Sequence, residues 1–138
     1  MSGTHEGTVL ALDFGTRKIG VALGNTLSGT ARALATLDQP SRAARMDAIA
    51  GLVAEWQPAV LVVGRPLHAD GTEHDVTRLA DAFARELAKR FSLPVEQVDE
   101  RYTTQIARIR SDARPRRNDP GHDAHAARII LQSWLDQR

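Results

Sequence analysis

Five short apolar segments, separated by polar turns, predict the strands of a β-sheet. The first two flank a polar turn at residues 15–18, which favours a β-hairpin. The fourth is continuously apolar and rich in β-branched residues, as expected of a central strand that is covered on both faces. The five segments are residues 8–14 (TVLALDF), 19–24 (IGVALG), 29–37 (GTARALATL), 59–64 (AVLVVG) and 95–99 (VEQVD).

Apolar residues at helical spacing predict helices after the third and fourth strands. The first helix covers residues 41–57 and is ended by Pro58. The second begins near Thr72 and Asp75, which resemble a capping box. The predicted apolar faces are Met46, Ile49, Val53 and Trp56 in the first helix, and Val76, Leu79, Phe83 and Leu87 in the second.

A last helix is predicted near the end of the chain. Asp119 and Pro120 have the residue types preferred at an N-cap and at the first helical position. Asp123 precedes Ala127 by four residues and therefore projects from the same face. Because Asp119 already supplies the cap, Asp123 is expected to point toward the core. The apolar stripe consists of Ala127, Ile130, Leu131 and Trp134.

This order of elements predicts an α/β fold, with a five-stranded mixed β-sheet and helices on both faces. The 138 residues suit one domain, and residues 1–7 are expected to form a flexible N-terminus. The absence of cysteine excludes disulfides and zinc–thiolate sites. Neither a secretory signal nor an apolar run of about 18 residues is present, so we expect a cytoplasmic protein with no membrane partner.

The net charge of +1 is uninformative, but the charge is unevenly distributed. Residues 101–120 contain six arginines and two aspartates, a pattern that fits either a phosphate-binding surface or a solvated loop. Within this segment, Thr103 is predicted to cap a short helix that extends to about Ser111.

Three acidic residues occupy unusual positions. Asp13 ends the first apolar strand, Glu100 follows the fifth, and Asp123 lies on the apolar face of the last helix. Ligands in α/β folds gather outside the carboxyl ends of the strands, where these acids can converge. Each also has a purely structural explanation: Asp13 can close a turn, Glu100 can form a surface ion pair, and Asp123 can hydrogen-bond buried backbone.

Clustered carboxylates repel one another and need a counterion, which a hard divalent cation supplies. Two Mg²⁺ or Mn²⁺ ions held by such acids can promote phosphodiester hydrolysis without a nucleophilic side chain. Hydrolysis of this type is expected to leave a 5′ phosphate and a 3′ hydroxyl.

Four segments of the chain resemble a known family: LDFGTRKIGVAL, VVGRPLHADGTE, VDERYTT and DAHAARIILQSWLD. They occur in the order found in the Holliday-junction-resolvase-like family, also described as the bacterial pre-16S rRNA nuclease family. The resemblance covers about Val9 to Leu135. It implies an RNase H-like fold and a metal-dependent nuclease whose acids are Asp13, Glu100 and Asp123. It further suggests processing of the 5′ end of pre-16S rRNA, with Holliday-junction resolution as a second role.

A second set of residues is predicted to contact the nucleic-acid backbone: Thr16, Arg17, Lys18, Arg65, Arg101, Thr103, Thr104, Arg114, Arg116 and Arg117. Arg65 has two interpretations, a bidentate phosphate contact or a solvated loop arginine. His122 and His125 flank Asp123 and are interpreted as helix-surface residues, with proton transfer as the alternative.

Two other functions compete with a nuclease. A non-catalytic nucleic-acid-binding or ribosome-assembly factor would use the acids structurally. A phosphotransfer enzyme is disfavoured, because such enzymes bind nucleotide between two related domains and this chain has room for one. The expected partners are structured RNA such as pre-rRNA or branched DNA, and ribosomal particles. The expected oligomeric state is a monomer or a weak homodimer.

Overall fold

The computed structural model describes residues 6–100 and 120–138, which form one five-stranded sheet and three helices. The strands are β1 (Thr8–Phe14), β2 (Ile19–Asn25), β3 (Thr30–Leu37), β4 (Val60–Arg65) and β5 (Val95–Asp99). The helices are α1 (Arg42–Trp56), α2 (Asp75–Phe91) and α3 (His122–Asp136). The five predicted strands are confirmed, and their ends differ from the predicted ones by one residue at most.

The sheet is mixed, with the strand order β3-β2-β1-β4-β5. The hairpin strands β1 and β2 pair antiparallel, as do β2 and β3, whereas β4 pairs parallel with both β1 and β5. The carboxyl ends of β1, β4 and β5 therefore share one edge of the sheet. Parallel strands of this kind are buried on both faces, which explains the continuous apolar run of β4.

The helices cover both faces of the sheet, as predicted. On one face, α3 packs on alternate residues of β1 and β4 such as Val9, Ala11, Val60 and Val62. On the other face, α1 and α2 cover Leu10, Leu12, Ile19, Val21, Leu61 and Val63. Because successive side chains of a strand point to opposite faces, each position on a strand can be assigned to the α3 face or to the α1/α2 face.

Helix α1 confirms the predicted first helix. Ser41 is its N-cap and accepts a hydrogen bond from Ala44 N. Met46 and Ile49 of the predicted apolar face are buried, whereas Val53 and Trp56 are half-buried at the rim of the same core. The helix ends at Trp56 because Pro58 cannot continue it.

The predicted start of the second helix is wrong. Helix α2 begins at Asp75, and its capping box is formed by His74 and Thr77. Thr72 instead donates its hydroxyl proton to Asp70 in the turn before the helix, at 2.6 Å, because the aspartate offers the hydroxyl a nearer acceptor. Leu79 of the predicted apolar face is 47% exposed, since the buried stripe is centred on Ala80, Phe83, Ala84 and Leu87.

The predicted start of the last helix is also wrong. Helix α3 begins at His122 with Gly121 as its N-cap, at a positive φ of 104°, and no side chain caps it. The Thr36 hydroxyl donates to the Pro120 carbonyl at 2.5 Å and ties the preceding chain to β3. Asp123 therefore lies in the first turn of the helix. The predicted apolar stripe is confirmed, as Ala127, Ile130, Leu131 and Trp134 are all buried.

Several predictions fall outside the described residues. They concern the short helix from Thr103 to Ser111, the side chain of Asp119 and most of the basic segment 101–120. Most of the N-terminal segment 1–7 also lies outside, although Gly7 N donates to Thr26 Oγ1 at 2.8 Å. Among the described helices, none combines the length and the apolar character that a membrane crossing requires.

Candidate active site

Asp13 is the most deeply buried charged residue of the described chain. It lies one residue before the end of β1, and 3% of its surface is exposed. The alternation along β1 directs its side chain to the α3 face, together with Val9 and Ala11. A carboxylate buried this deeply is costly unless its surroundings compensate the charge, which makes the strand end around Asp13 the candidate site.

Asp123 reaches this strand end because the neighbouring strand carries a glycine. Gly20 of β2 is the partner of Asp13 in the β1–β2 ladder. A Cβ at residue 20 would overlap the main-chain carbonyl of Asp123 and lie 2.8 Å from Ala124 N. The first turn of α3 therefore rests directly on β2, and it brings Asp123 next to the strand pair that contains Asp13.

Glu100 approaches Asp13 from the other side. Gly64 of β4 lies one residue beyond the last register pair of β1 and β4, Leu12 with Val63. The Glu100 carboxylate lies against this glycine, since a Cβ at residue 64 would be 2.8 Å from Glu100 Oε2. Asp13 is thus flanked by Asp123 across β2 and by Glu100 across β4, on the α3 face.

The three acids share one strand end without forming a closed metal cage. Among residues 6–100 and 120–138, no three His, Asp or Glu side chains are close enough to hold one ion. Mg²⁺ does not need such a cage, because it keeps several waters and takes one or two carboxylates together with substrate phosphates. The predicted ligands are all carboxylates, and the neighbouring strand positions, Gly20 and Gly64, carry no side chain. This set of residues therefore fits a hard divalent cation.

The β1–β2 turn carries exposed polar side chains at the same end of the sheet. Thr16, Arg17 and Lys18 are all solvent-exposed. Arg45 of α1 holds the turn, because its guanidinium donates to the Gly15 and Thr16 carbonyls at 3.3 and 3.4 Å. Beside the turn lies an open concavity of about 460 Å³, lined by Thr16, Arg17, Asp38, Gln39, Pro40 and Arg45.

Arg65 belongs to a different cluster from the acids. It ends β4 and points to the α1/α2 face, where Asp81 of α2 accepts two hydrogen bonds from it at 3.0 and 3.1 Å. Glu73 accepts a third at 2.7 Å. The guanidinium lowers the pKa of Asp81, and the two carboxylates raise the pKa of Arg65. The interpretation of Arg65 as a solvated loop arginine is therefore wrong, and its phosphate contact stays a prediction.

The other predicted nucleic-acid contacts are outside the described residues: Arg101, Thr103, Thr104, Arg114, Arg116 and Arg117. His122 and His125 lie in the first turn of α3, and both are half-buried rather than fully exposed.

Sequence reasoning missed three residues that shape this region: Gly20, Gly64 and Arg45. The glycines carried a usable signal, because glycine inside an apolar strand often marks a close approach of another chain segment. Arg45 carried none, since its contacts with the turn depend on how α1 packs against the sheet.

Comparison with known proteins identifies the family to which the chain belongs. Residues 7–137 match the RuvX family, described as Holliday junction resolvase. A relative from Burkholderia multivorans, named pre-16S rRNA nuclease, is 47% identical over 99% of this chain and 95% of its own length. A relative of the same name from Dechloromonas aromatica is 51% identical over 94% of this chain and 91% of its own length.

A solved structure shows the same fold. RuvC from Thermus thermophilus, in complex with a Holliday junction substrate, superposes with a TM-score of 0.58. The sequence identity is 17%, and the match covers 95% of this chain and 94% of that one. The RNase H-like fold that the sequence implied is therefore confirmed.

Fold and family together define the class of protein as a nuclease, a hydrolase that acts on phosphodiester bonds. Within this class, the chain belongs to the RuvX Holliday junction resolvase family.

Proposed function

We propose that this protein is a divalent-cation-dependent endonuclease that processes the 5′ end of pre-16S rRNA at the strand end occupied by Asp13, Glu100 and Asp123. The observation that carries the proposal is that the main chain of Asp123 and the carboxylate of Glu100 lie against Gly20 and Gly64, the glycines on either side of the buried Asp13. The relatives named pre-16S rRNA nuclease support RNA as the substrate. The proposed cation is Mg²⁺ or Mn²⁺.

The acids have a shared role in this proposal. Asp13 is fixed by the sheet and is nearly inaccessible to water, so its carboxylate forms the rigid part of the site. Asp123 is held by the helix that rests on Gly20, and Glu100 lies against Gly64. The bound cation would supply the charge that neutralises these carboxylates and the scissile phosphate.

The exposed turn between β1 and β2 has a separate role, which is to bind the nucleic-acid backbone. Arg17 and Lys18 supply positive charge at the same end of the sheet as the acids, which would otherwise repel a phosphate chain. Arg45 fixes the turn by binding two of its carbonyls. The turn thus holds the substrate while the acids act on it.

Holliday-junction cleavage is the second candidate, and the description of the family favours it. The two substrates are distinguished by one cleavage assay with purified protein. It compares a 5′-leader fragment of pre-16S rRNA with a four-way DNA junction, each in Mg²⁺, Mn²⁺ or EDTA.

Asp13→Asn is the test variant in this assay, and Asp47→Asn is the matched control. Asp47 is an exposed aspartate of α1 that pairs with Arg90 on the surface. We expect cation-dependent cleavage of the RNA by the wild type and the control but not by Asp13→Asn. Cleavage of the junction but not of the RNA would show that branched DNA, and not pre-16S rRNA, is the substrate. Binding of RNA without any cleavage would favour an assembly factor.

A further inference from the structure

Two glycines flank Asp13 on its two neighbouring strands, and both are in strand interiors on the same face of the sheet. Gly20 lies in β2 and Gly64 in β4. Glycine weakens a strand, so its presence there needs a reason. Neither residue has a positive φ, so conformational freedom is not the reason. What both positions require is the absence of a side chain.

At Gly64 the missing side chain leaves room for the Glu100 carboxylate. A Cβ at this position would lie 2.8 Å from Glu100 Oε2 and 3.0 Å from Glu100 Cδ. Ordinary van der Waals contacts of carbon are longer, at about 3.5–4.0 Å. A side chain at residue 64 would therefore require the Glu100 carboxylate to shift from its place over the strand.

The same position also contacts the core of the protein. A Cβ at residue 64 would lie 2.6 Å from Ile130 Cδ1 on α3. A purely structural explanation is therefore available, in which Gly64 only lets α3 pack closely on β4. The two explanations involve different atoms, and they can be separated by removing one contact at a time.

We propose that Gly64 is a positioning residue of the nuclease site, because its lack of a side chain seats the Glu100 carboxylate against β4 beside Asp13. This inference rests on the proposed function. It adds that the geometry of the acid cluster is set by the backbone surface of β4 and not by the acids alone. Gly64 itself has no side chain with which to touch the substrate.

The test uses Gly64→Ala, with Gly24→Ala as the matched control. Gly24 lies on the same face of the sheet, and a Cβ there would meet Leu131 Cδ2 at 2.9 Å, far along β2 from the acids. Both variants are expected to lower the melting temperature. Only Gly64→Ala should lower kcat, by about 10²-fold, since a misplacement of about 1 Å can cost that much. Its KM for RNA should stay within threefold of the wild-type value.

A second variant separates positioning from packing. Gly64→Ala/Ile130→Val removes the Ile130 methyl group that the new Cβ would meet but keeps the conflict with Glu100. We expect this double variant to regain most of the lost melting temperature while kcat stays low. Recovery of kcat together with stability would overturn the proposal, because Gly64 would then serve packing alone. The double variant also keeps the test decisive if Gly64→Ala does not fold.

Urea unfolding gives a third test that does not depend on catalysis. Glu100→Ala is introduced into the wild type and into Gly64→Ala, and the urea midpoints of the four proteins are compared. If the carboxylate lies over Gly64, the shift caused by Gly64→Ala should be clearly smaller in the Glu100→Ala background. Equal shifts would overturn the proposal. If Asp13→Asn remained active, the proposed function would fail, whereas this comparison would still decide where Glu100 lies.

Discussion

Asp13→Asn is expected to stabilise the cation-free protein while abolishing its activity. Asp13 is 3% exposed, and two further acids approach it from the neighbouring strands. Asparagine has nearly the same shape, but it carries no charge to desolvate and none to repel Glu100 and Asp123. Buried charges that an active site needs commonly lower the stability of the folded protein.

The size of the effect follows from burial and charge. As a general scale, two like unit charges about 8 Å apart repel by about 2 kcal/mol at an effective dielectric constant of about 20, and salt screening reduces this value. We therefore expect the free energy of unfolding to rise by about 1–2 kcal/mol. For 138 residues, an unfolding entropy of about 2.1 cal/mol/K per residue converts this gain into about 3–7 °C of melting temperature.

The assay is urea and thermal unfolding at neutral pH in EDTA, with Asp47→Asn as the control. Divalent cation is then added. At ten times its Kd, a bound cation should stabilise the wild type by about 1.4 kcal/mol, and Asp13→Asn should gain far less. The reasoning would be refuted if Asp13→Asn were less stable than the wild type in EDTA and the cation stabilised both proteins equally.

Three further outcomes are expected. Asp81→Asn should cost about 1 kcal/mol at neutral pH. The arginine that ends β4 lowers the pKa of Asp81, so this difference should shrink as the pH falls below about 4 and vanish only when Asp81 becomes protonated in the folded protein. A constant difference in urea titrations would contradict this prediction. Gly20→Ala should lower the free energy of unfolding, measured in urea, by about 2–3 kcal/mol, because the new Cβ displaces the first turn of α3. Gly51→Ala is the control, since its Cβ would lie in open space on α1, and it should not lower the free energy of unfolding. Arg45→Ala should weaken RNA binding several-fold in a filter-binding assay, because it releases the β1–β2 turn. An equal loss of binding in Arg42→Ala would contradict this, since the loss would then come from the removal of positive charge and not from the turn.

The strands, and the positions of Asp13 and Glu100 at strand ends, could be predicted from the sequence because their signals are local. Residues 9–12 are continuously apolar and Asp13 follows them directly, so a charged residue at the end of a buried strand is visible in the pattern itself. The same is true of β4, whose apolar run requires cover on both faces. Topology then brings the carboxyl ends of the parallel strands to one edge.

The starts of α2 and α3 could not be predicted, because several polar residues competed for each cap. Thr72 has the residue type of an N-cap, but its hydroxyl is bound by Asp70, and His74 caps α2 instead. Before α3, Gly121 takes the N-cap position because the chain turns sharply there, with the Thr36 hydroxyl bound to the preceding carbonyl. Such choices depend on contacts with other elements.

The contacts made by Arg65 and Gly64 at the end of β4 could not be predicted from the sequence either. The sequence does not show that the alternation along β4 turns Arg65 to the face opposite Asp13, where Asp81 and Glu73 bind it. Gly64 shows its role only once Glu100 is seen against it. The sequence therefore predicts which acids form the site, and the packed structure shows which strand positions lie next to Asp123 and Glu100.

The central claim is that Asp13, Glu100 and Asp123 together form the hydrolytic site. The most direct measurement is the single-turnover cleavage rate of the pre-16S rRNA leader fragment by Asp13→Asn, Glu100→Gln and Asp123→Asn, with the RNA Kd of each variant. We predict that every variant loses at least about 10²-fold in rate while its Kd stays within threefold of the wild-type value. Wild-type cleavage by any one of the three variants would contradict the claim.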